Sequence, residues 1–235
     1  KKIFYKIINY LNYDFIVCSQ DGSGDIKDLK YYFPNCKNIR LLFNGVSKTN
    51  FSKKISKSTI GFIGRFEKIK GIGLFLKINR KLSKYFDFKL IGDSENFDRK
   101  YLENFKKTFF LGKVQNQKIN NLHRKINLVI SINEAGNFSN VNLECINNYT
   151  PFLFCSFDKK KDIFIKKELK KFNLDLSIDN SYTEIGLTGK INYYFKNKKK
   201  IDSLFKKFCN YFKKKYLISW PRRIDREISL LKKIL

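Results

Sequence analysis

At 235 residues the chain is long enough to bury a substantial core, and at roughly 150 residues per domain it reads as one and a half domains rather than two. Its 49 Lys and Arg against 21 Asp and Glu leave a formal charge of +28. That charge fits a negatively charged partner (nucleic acid, an anionic membrane face or a phosphorylated substrate) or a composition simply rich in Lys, Asn, Ile and Phe. Five scattered cysteines (Cys18, Cys36, Cys145, Cys155, Cys209), without a C-x-x-C pair and with a single histidine, support neither a disulfide framework nor a zinc site.

Taken in chain order, short apolar runs alternate with longer amphipathic stretches. The absence of any methionine makes the chain read as the C-terminal part of a longer protein. Residues 1–43 read as helix, strand, helix, strand, with strands at 14–19 and 38–43. A polar stretch from Asn44 to Thr59 has the composition of a linker. Further strands are expected at 59–64, 86–91, 108–111, 127–132, 151–155 and 174–178. Helices are expected at 71–84, 97–107, 118–125, 139–148, 162–172 and 199–215. The last segment, 216–235, reads as a helix broken at Trp220-Pro221, with apolar positions at Ile224, Ile228, Leu231 and Ile234. Single helices between strands predict βαβ units, and continuously apolar strands predict a parallel sheet covered on both faces. No apolar run approaches the ~20 residues that cross a bilayer, and reduced thiols fit the cytosol.

Two segments carry chemistry. The strand ending Gly61-Phe-Ile-Gly64 delivers Arg65 to the carboxyl edge of the sheet, and a short loop leads to Lys70-Gly71 at the next helix. Ligands bind at that edge in open α/β sheets. An arginine fork and a lysine point charge on one loop suit a diphosphate, although two surface cations are equally expected in so basic a chain. The second segment, Asn133 to Glu144, follows the apolar run LVISI and enters a helix at Ser139. Helix N-termini present unpaired N–H groups at a positive dipole end, which suits a phosphate. Glu144, a turn and a half deeper, is placed to accept two hydrogen bonds from a vicinal diol such as a ribose, or else to form a surface ion pair. His123 is expected on the surface or at a helix end.

Gly64-Arg65, Lys70-Gly71, Gly92-Asp93, Leu111-Gly112-Lys113-Val114 and the Ser139-to-Glu144 helix start together resemble the donor domain of family 4 glycosyltransferases. Asn44-Gly45-Val46 and Ser219-Trp220 resemble that family's interdomain link and its C-terminal crossover segment. The resemblance covers roughly residues 14–235 and implies the GT-B fold: an α/β, Rossmann-like, doubly wound parallel sheet with the tail of a second Rossmann-like domain. The expected extents are 1–48 for that tail and the start of the linker, 49–218 for the donor domain and 219–235 for the crossover helix.

By the same resemblance, Arg65 and Lys70 hold the donor diphosphate and stabilise the departing nucleotide without a metal. Glu144 holds the ribose hydroxyls, the backbone of Ser139, Asn140 and Val141 meets the distal phosphate, and Val114 contacts the base. Gly64 and Gly136 belong to the two donor-binding loops. The family often has two glutamates with seven residues between them. Counting back from Glu144, that first position is Gly136, so Glu134 is the acid expected to reach the transferred sugar, with Asn137 as an alternative. The implied activity is transfer, with retained configuration, from a nucleoside-diphosphate sugar to a glycan or lipid-linked acceptor. No cofactor is expected beyond that donor, and no specific nucleic-acid partner. The lysine-rich surface would place the protein in the cytoplasm, at the inner membrane face. A non-catalytic GT-B-like interaction module and a basic nucleic-acid binder are the alternatives.

Overall fold

The computed structural model describes residues 16–18, 25–47, 58–93, 105, 108–132, 139–155, 163–178 and 183–232. The first unit is small. β1 (Ile16–Cys18) and β2 (Ile39–Leu41) pair in parallel with Ile16 opposite Ile39, joined through α1 (Asp25–Tyr32).

The second unit begins at β3 (Thr59–Ile63) and runs through α2 (Ile72–Leu82), β4 (Asp87–Ile91) and β5 (Thr108–Phe110). It returns through α3 (Asn116–His123) to β6 (Leu128–Ile132), then α4 (Asn140–Asn147) and β7 (Phe152–Cys155). α5 (Ile163–Lys170), α6 (Glu184–Lys196), α7 (Lys198–Lys215) and α8 (Trp220–Leu231) follow. All five strands are parallel, in the order β5-β4-β3-β6-β7. The chain therefore winds outward from β3 to one edge, then restarts at β6 on the other side of β3, which makes a doubly wound sheet.

Every residue of β3 is buried, and nearly all of β6, because helices cover both faces of the sheet. Aromatic rings fill the space between the layers. Phe75 meets Phe62 at 5.4 Å and Phe88 at 5.6 Å, while Phe152 packs on Phe205 at 5.8 Å. Such offset and edge-on pairs each contribute about 0.5–1.5 kcal/mol beyond the area they bury.

Most strands and helices of the described residues fall where the apolar pattern puts them, and three points differ. α6 is a helix that the sequence reading misses, because Gly186 and Gly189 look like punctuation. It forms because the Thr183 hydroxyl accepts from the Gly186 N–H at 3.2 Å and Leu187, Ile191 and Tyr194 all reach the core. Residues 174–178 alternate buried and exposed as a strand would, yet Ser177 makes only a single bridge to Phe154 at the edge of β7. Trp220-Pro221 starts a helix instead of breaking one, since proline at the first turn loses no hydrogen bond. The helix expected at 97–107 lies outside the described residues except for Phe105, which is buried.

The link between the units is tied down on several sides. Val46 bridges Ser219 in parallel, and the Val46 N–H donates to the Ile218 carbonyl at 3.0 Å. The buried Arg223 donates from Nε to the Phe43 carbonyl at 3.1 Å, and the Phe43 ring packs among Phe164, Phe212 and Tyr216. A Cβ at Gly45 would sit 2.6 Å from the Trp220 Cα, so only glycine lets the two segments cross there. Among the described residues no helix is long and apolar enough to cross a membrane.

Gly92 has φ 139° and a Cβ there would lie 1.8 Å from the Gly64 carbonyl oxygen. Gly92→Ala is expected to abolish cooperative thermal unfolding or lower the midpoint severely. Gly73→Ala, on the exposed face of α2 with open space around it, is expected to stabilise by up to about 1 kcal/mol in the same melts.

Candidate functional site

The crevice opens where β3 and β6, neighbours in the sheet, send the chain away in opposite directions. On the β3 side, Gly64 turns the chain with φ 145° and has nothing within 4 Å of the Cβ it lacks. The loop then makes a 3-10 turn over Lys68–Lys70 and enters α2 at Gly71, which is left-handed with φ 72°. Lys70 lines a cavity of about 50 Å³ together with Phe62, Gly64, Ser131, Ser139 and Val141. Partial burial lowers the Lys70 pKa below its ordinary 10.5, and the neighbouring Arg65 charge lowers it further against the opposing pull of Glu67. Arg65 itself is exposed and pairs with Glu67 at 2.9 Å.

On the β6 side the cavity wall is the start of α4. Ser139 sits at the N-cap with extended backbone, but its hydroxyl does not cap an amide. It donates instead to Asn142 Oδ1 at 2.7 Å, an oxygen that also accepts from Ser131 Oγ at 2.5 Å. The buried Asn142 thus locks the end of β6 to the beginning of the helix. Ser139 is therefore not the side-chain cap of the first-turn amides, which in any helix lack intrahelical acceptors. The dipole adds partial positive charge at the same end. A partly desolvated ammonium and a helix N-terminus facing one cavity form a site for an anion.

Glu144 faces elsewhere. With Asn140 and Asn147 it lies along one side of α4, lining a second cavity of about 100 Å³ with Gly45, Asn120 and Trp220. Asn140 accepts from Asn44 Nδ2 at 2.9 Å, and Asn147 Nδ2 donates to the Ser47 carbonyl at 2.8 Å. α4 thus brings its amide end to one cavity and its carboxylate to another, one turn further along.

Of the residues expected from sequence, Gly64, Lys70, Ser139 and Val141 meet at the first cavity, and Asn140 and Glu144 at the second. Val114 lines neither; it is half-buried against the core, after Gly112 turns the chain with φ 62°. Glu134, Gly136 and Asn137 lie outside the described residues. His123 ends α3 as expected, but it is wholly buried rather than on the surface, because α3 turns its last residue toward α4. Asn120 went unnoticed in the sequence, and Asn44 was noticed only as part of the Asn44-Gly45-Val46 link, not for its bond to Asn140. Cys36, Cys145 and Cys209 are buried and not joined in disulfides, and burial pushes the Cys145 thiol well above its usual pKa. Among the described residues no three His, Cys, Asp or Glu side chains gather as a metal site would.

The architecture is that of an open, doubly wound nucleotide-binding-type sheet with its crevice at the switch between β3 and β6. No protein-family model and no curated protein matches the chain. Solved structures do match. HepE from Anabaena, in complex with UDP, superposes with a TM-score of 0.76 at 12% identity over 99% of this chain and 68% of its own. Sucrose-phosphate synthase from Thermosynechococcus elongatus gives 0.76 at 14% identity over 100% of this chain and 62% of its own. A variant of TarM from S. aureus, in complex with Fondaparinux, alpha-GlcNAc-glycerol and UDP, gives 0.70 at 18% identity over 97% of this chain and 45% of its own. The fold is therefore the GT-B fold of these glycosyltransferases, and the chain spans from under half to about two thirds of their lengths.

Because the free protein disfavours the Lys70 charge, an anion that restores it takes up protons at alkaline pH below 10.5. Pyrophosphate titrations in buffers of different ionisation enthalpy should show that uptake, and Lys70→Met should remove it. The variant should also weaken pyrophosphate binding by roughly 10- to 100-fold, corresponding to the ~1.5–3 kcal/mol of a hydrogen bond to a charged group.

Proposed function

We propose that the chain is the donor-binding part of a retaining family 4 glycosyltransferase. The reaction is metal-independent transfer of a sugar from a nucleoside diphosphate to a glycan or lipid-linked acceptor, in the synthesis of a cell-surface polysaccharide or lipopolysaccharide. The observation that carries this reading is the placement of Lys70 and the start of α4 around one cavity at the sheet's switch point, with Glu144 one turn along the same helix. A diphosphate at the amide end and a ribose diol at the carboxylate match that spacing.

In this reading residues 49–218 form the donor domain, 1–48 the end of the acceptor-side domain with the start of the linker, and 219–235 the crossover helix. Lys70 neutralises the diphosphate as it departs. Arg65, itself exposed, leaves the half-buried Glu67, a pairing worth at most about 1 kcal/mol, to join it. Stabilising charge that develops only as the bond breaks lowers the barrier without tightening ground-state binding. Glu134 reaches the transferred sugar, with Asn137 as the alternative, and Gly136 contributes to donor binding. Val114 contacts the base through its backbone. The lysines on the outer side of α7, opposite the buried Ile201, Phe205, Phe208 and Phe212, support a location at an anionic membrane surface on the cytoplasmic side.

The test is calorimetric titration with UDP, GDP and ADP at moderate salt, repeated with Glu144→Ala. One nucleotide is expected to bind in clear preference, and the variant to lose at least about 1.5 kcal/mol of that affinity, the value of a charge-assisted hydrogen bond. Equal binding of all three, seen only at low salt, would trace to the +28 charge and end the donor-site reading.

A further inference from the structure

His123 is the single histidine of the chain, and it is wholly buried. Its backbone carbonyl accepts from the Thr150 hydroxyl at 3.3 Å, which holds the end of α3 against the turn after α4. Among the described residues neither ring nitrogen has a hydrogen-bond partner. A buried polar group left unpaired is destabilising, so native proteins keep few of them, and those they keep call for an explanation. Glu144 Oε2 lies 3.8 Å from Nε2, beyond hydrogen-bond length but within a small side-chain rotation of it. Glu144 is half-buried and its other side faces the cavity it shares with Asn120 and Trp220.

We infer that His123 is the positioning residue for Glu144: its Nε2–H donates to Oε2 and fixes the carboxylate plane, leaving Oε1 and the remaining lone pairs of the carboxylate turned toward the cavity for a sugar diol. This rests on the reading of Glu144 as the ribose-binding carboxylate. The chemistry follows from the donor inventory. A carboxylate is acceptor-only, with room for about four hydrogen bonds across its two oxygens. A vicinal diol uses two of them, but only if the plane of the carboxylate is held, because the terminal torsion of a glutamate is broad and weakly restrained. A hydrogen bond from behind removes that freedom before the ligand arrives, as the outer partners of metal-bound groups do. The neutral imidazole with its proton on Nε2 satisfies this role without placing a second buried charge. In the same cavity Asn120 turns its Oδ1 to Asn148 Nδ2, and Cys145, next to Glu144 in sequence, is a buried thiol whose pKa is raised by burial and by Glu144.

Two measurements test this. The lone imidazole gives one set of ring nitrogen resonances in ¹⁵N-labelled protein, and the inference expects the Nε2–H tautomer with an Nε2 signal that moves in Glu144→Gln. An Nε2 signal unmoved by that substitution overturns the contact, whether or not any nucleotide binds. The second measurement compares binding of UDP, GDP and ADP with that of their 2′-deoxy counterparts. For the nucleotide that binds, His123→Phe should reduce the ribose preference about tenfold while leaving pyrophosphate affinity unchanged. His123→Gln, whose amide places a donor near the Nε2 position, should restore it. A ribose preference that survives intact in a folded His123→Phe protein overturns the positioning role. A wild-type protein that binds a nucleotide without preferring ribose overturns the reading of Glu144 and this inference with it. Failure of all three nucleotides to bind strikes the donor site itself and leaves the nitrogen spectrum to decide the contact.

Discussion

Parallel neighbours in a sheet must each be followed by a crossover, and crossovers from adjacent strands that run to opposite edges leave a gap between them. Here that gap lies between β3 and β6, and the rest of the site depends on it. The loop after β3 turns away toward β4, carrying Gly64 and Lys70 along one wall, while α4 begins the other wall at Ser139. A sheet wound in one direction only would cover these strand ends. The two glycines at the ends of β3 and β4 are part of the same constraint, since the carbonyl of Gly64 lies where a side chain at Gly92 would have to be.

α4 is short, and nearly every side of it has a distinct task. Its first turn is held by Asn142, through the hydroxyls of Ser131 and Ser139. Leu143, Cys145 and Ile146 are buried in the core. Asn140 and Asn147 reach Asn44 and Ser47 in the segment before β3, and Glu144 stands between them, backed by His123. Few of these side chains can change without disturbing a neighbour, and the helix packs along α7, whose buried phenylalanines fix its depth.

The sheet was legible in the sequence because its strands are continuous apolar runs, such as LVISI and FLFC, and because both faces are covered. The glycines and cations of the β3 loop were legible for a related reason: a strand end, a glycine and a basic residue follow one another in the chain. α6 was hidden because two glycines outweigh a buried face of only Leu187, Ile191 and Tyr194 in any local count. The burial of His123 was hidden because it depends on contact between two helices separated by a strand. Its signal was there only faintly, in the apolar spacing of Ile119, Leu122 and Ile126 around it. The division of the expected donor residues between two cavities cannot be seen in sequence at all. It arises from the hundred-degree step of a helix: Asn140 and Glu144, four residues apart, share the side that lines the second cavity, while Val141 is turned one step from Asn140 toward the first.

The parallel contact of Val46 with Ser219 has a mechanical consequence. Two lengths of backbone, one before the large sheet and one after it, run side by side and are cross-braced by Arg223 and by the absent side chain of Gly45. A single strand of chain is a swivel; two bonded strands are a door hinge, stiff to twisting and soft to bending. Because the same strap is bonded to both ends of α4, through Asn44 to Asn140 and through Ser47 to Asn147, bending at the hinge loads the helix that carries Glu144 at both ends at once.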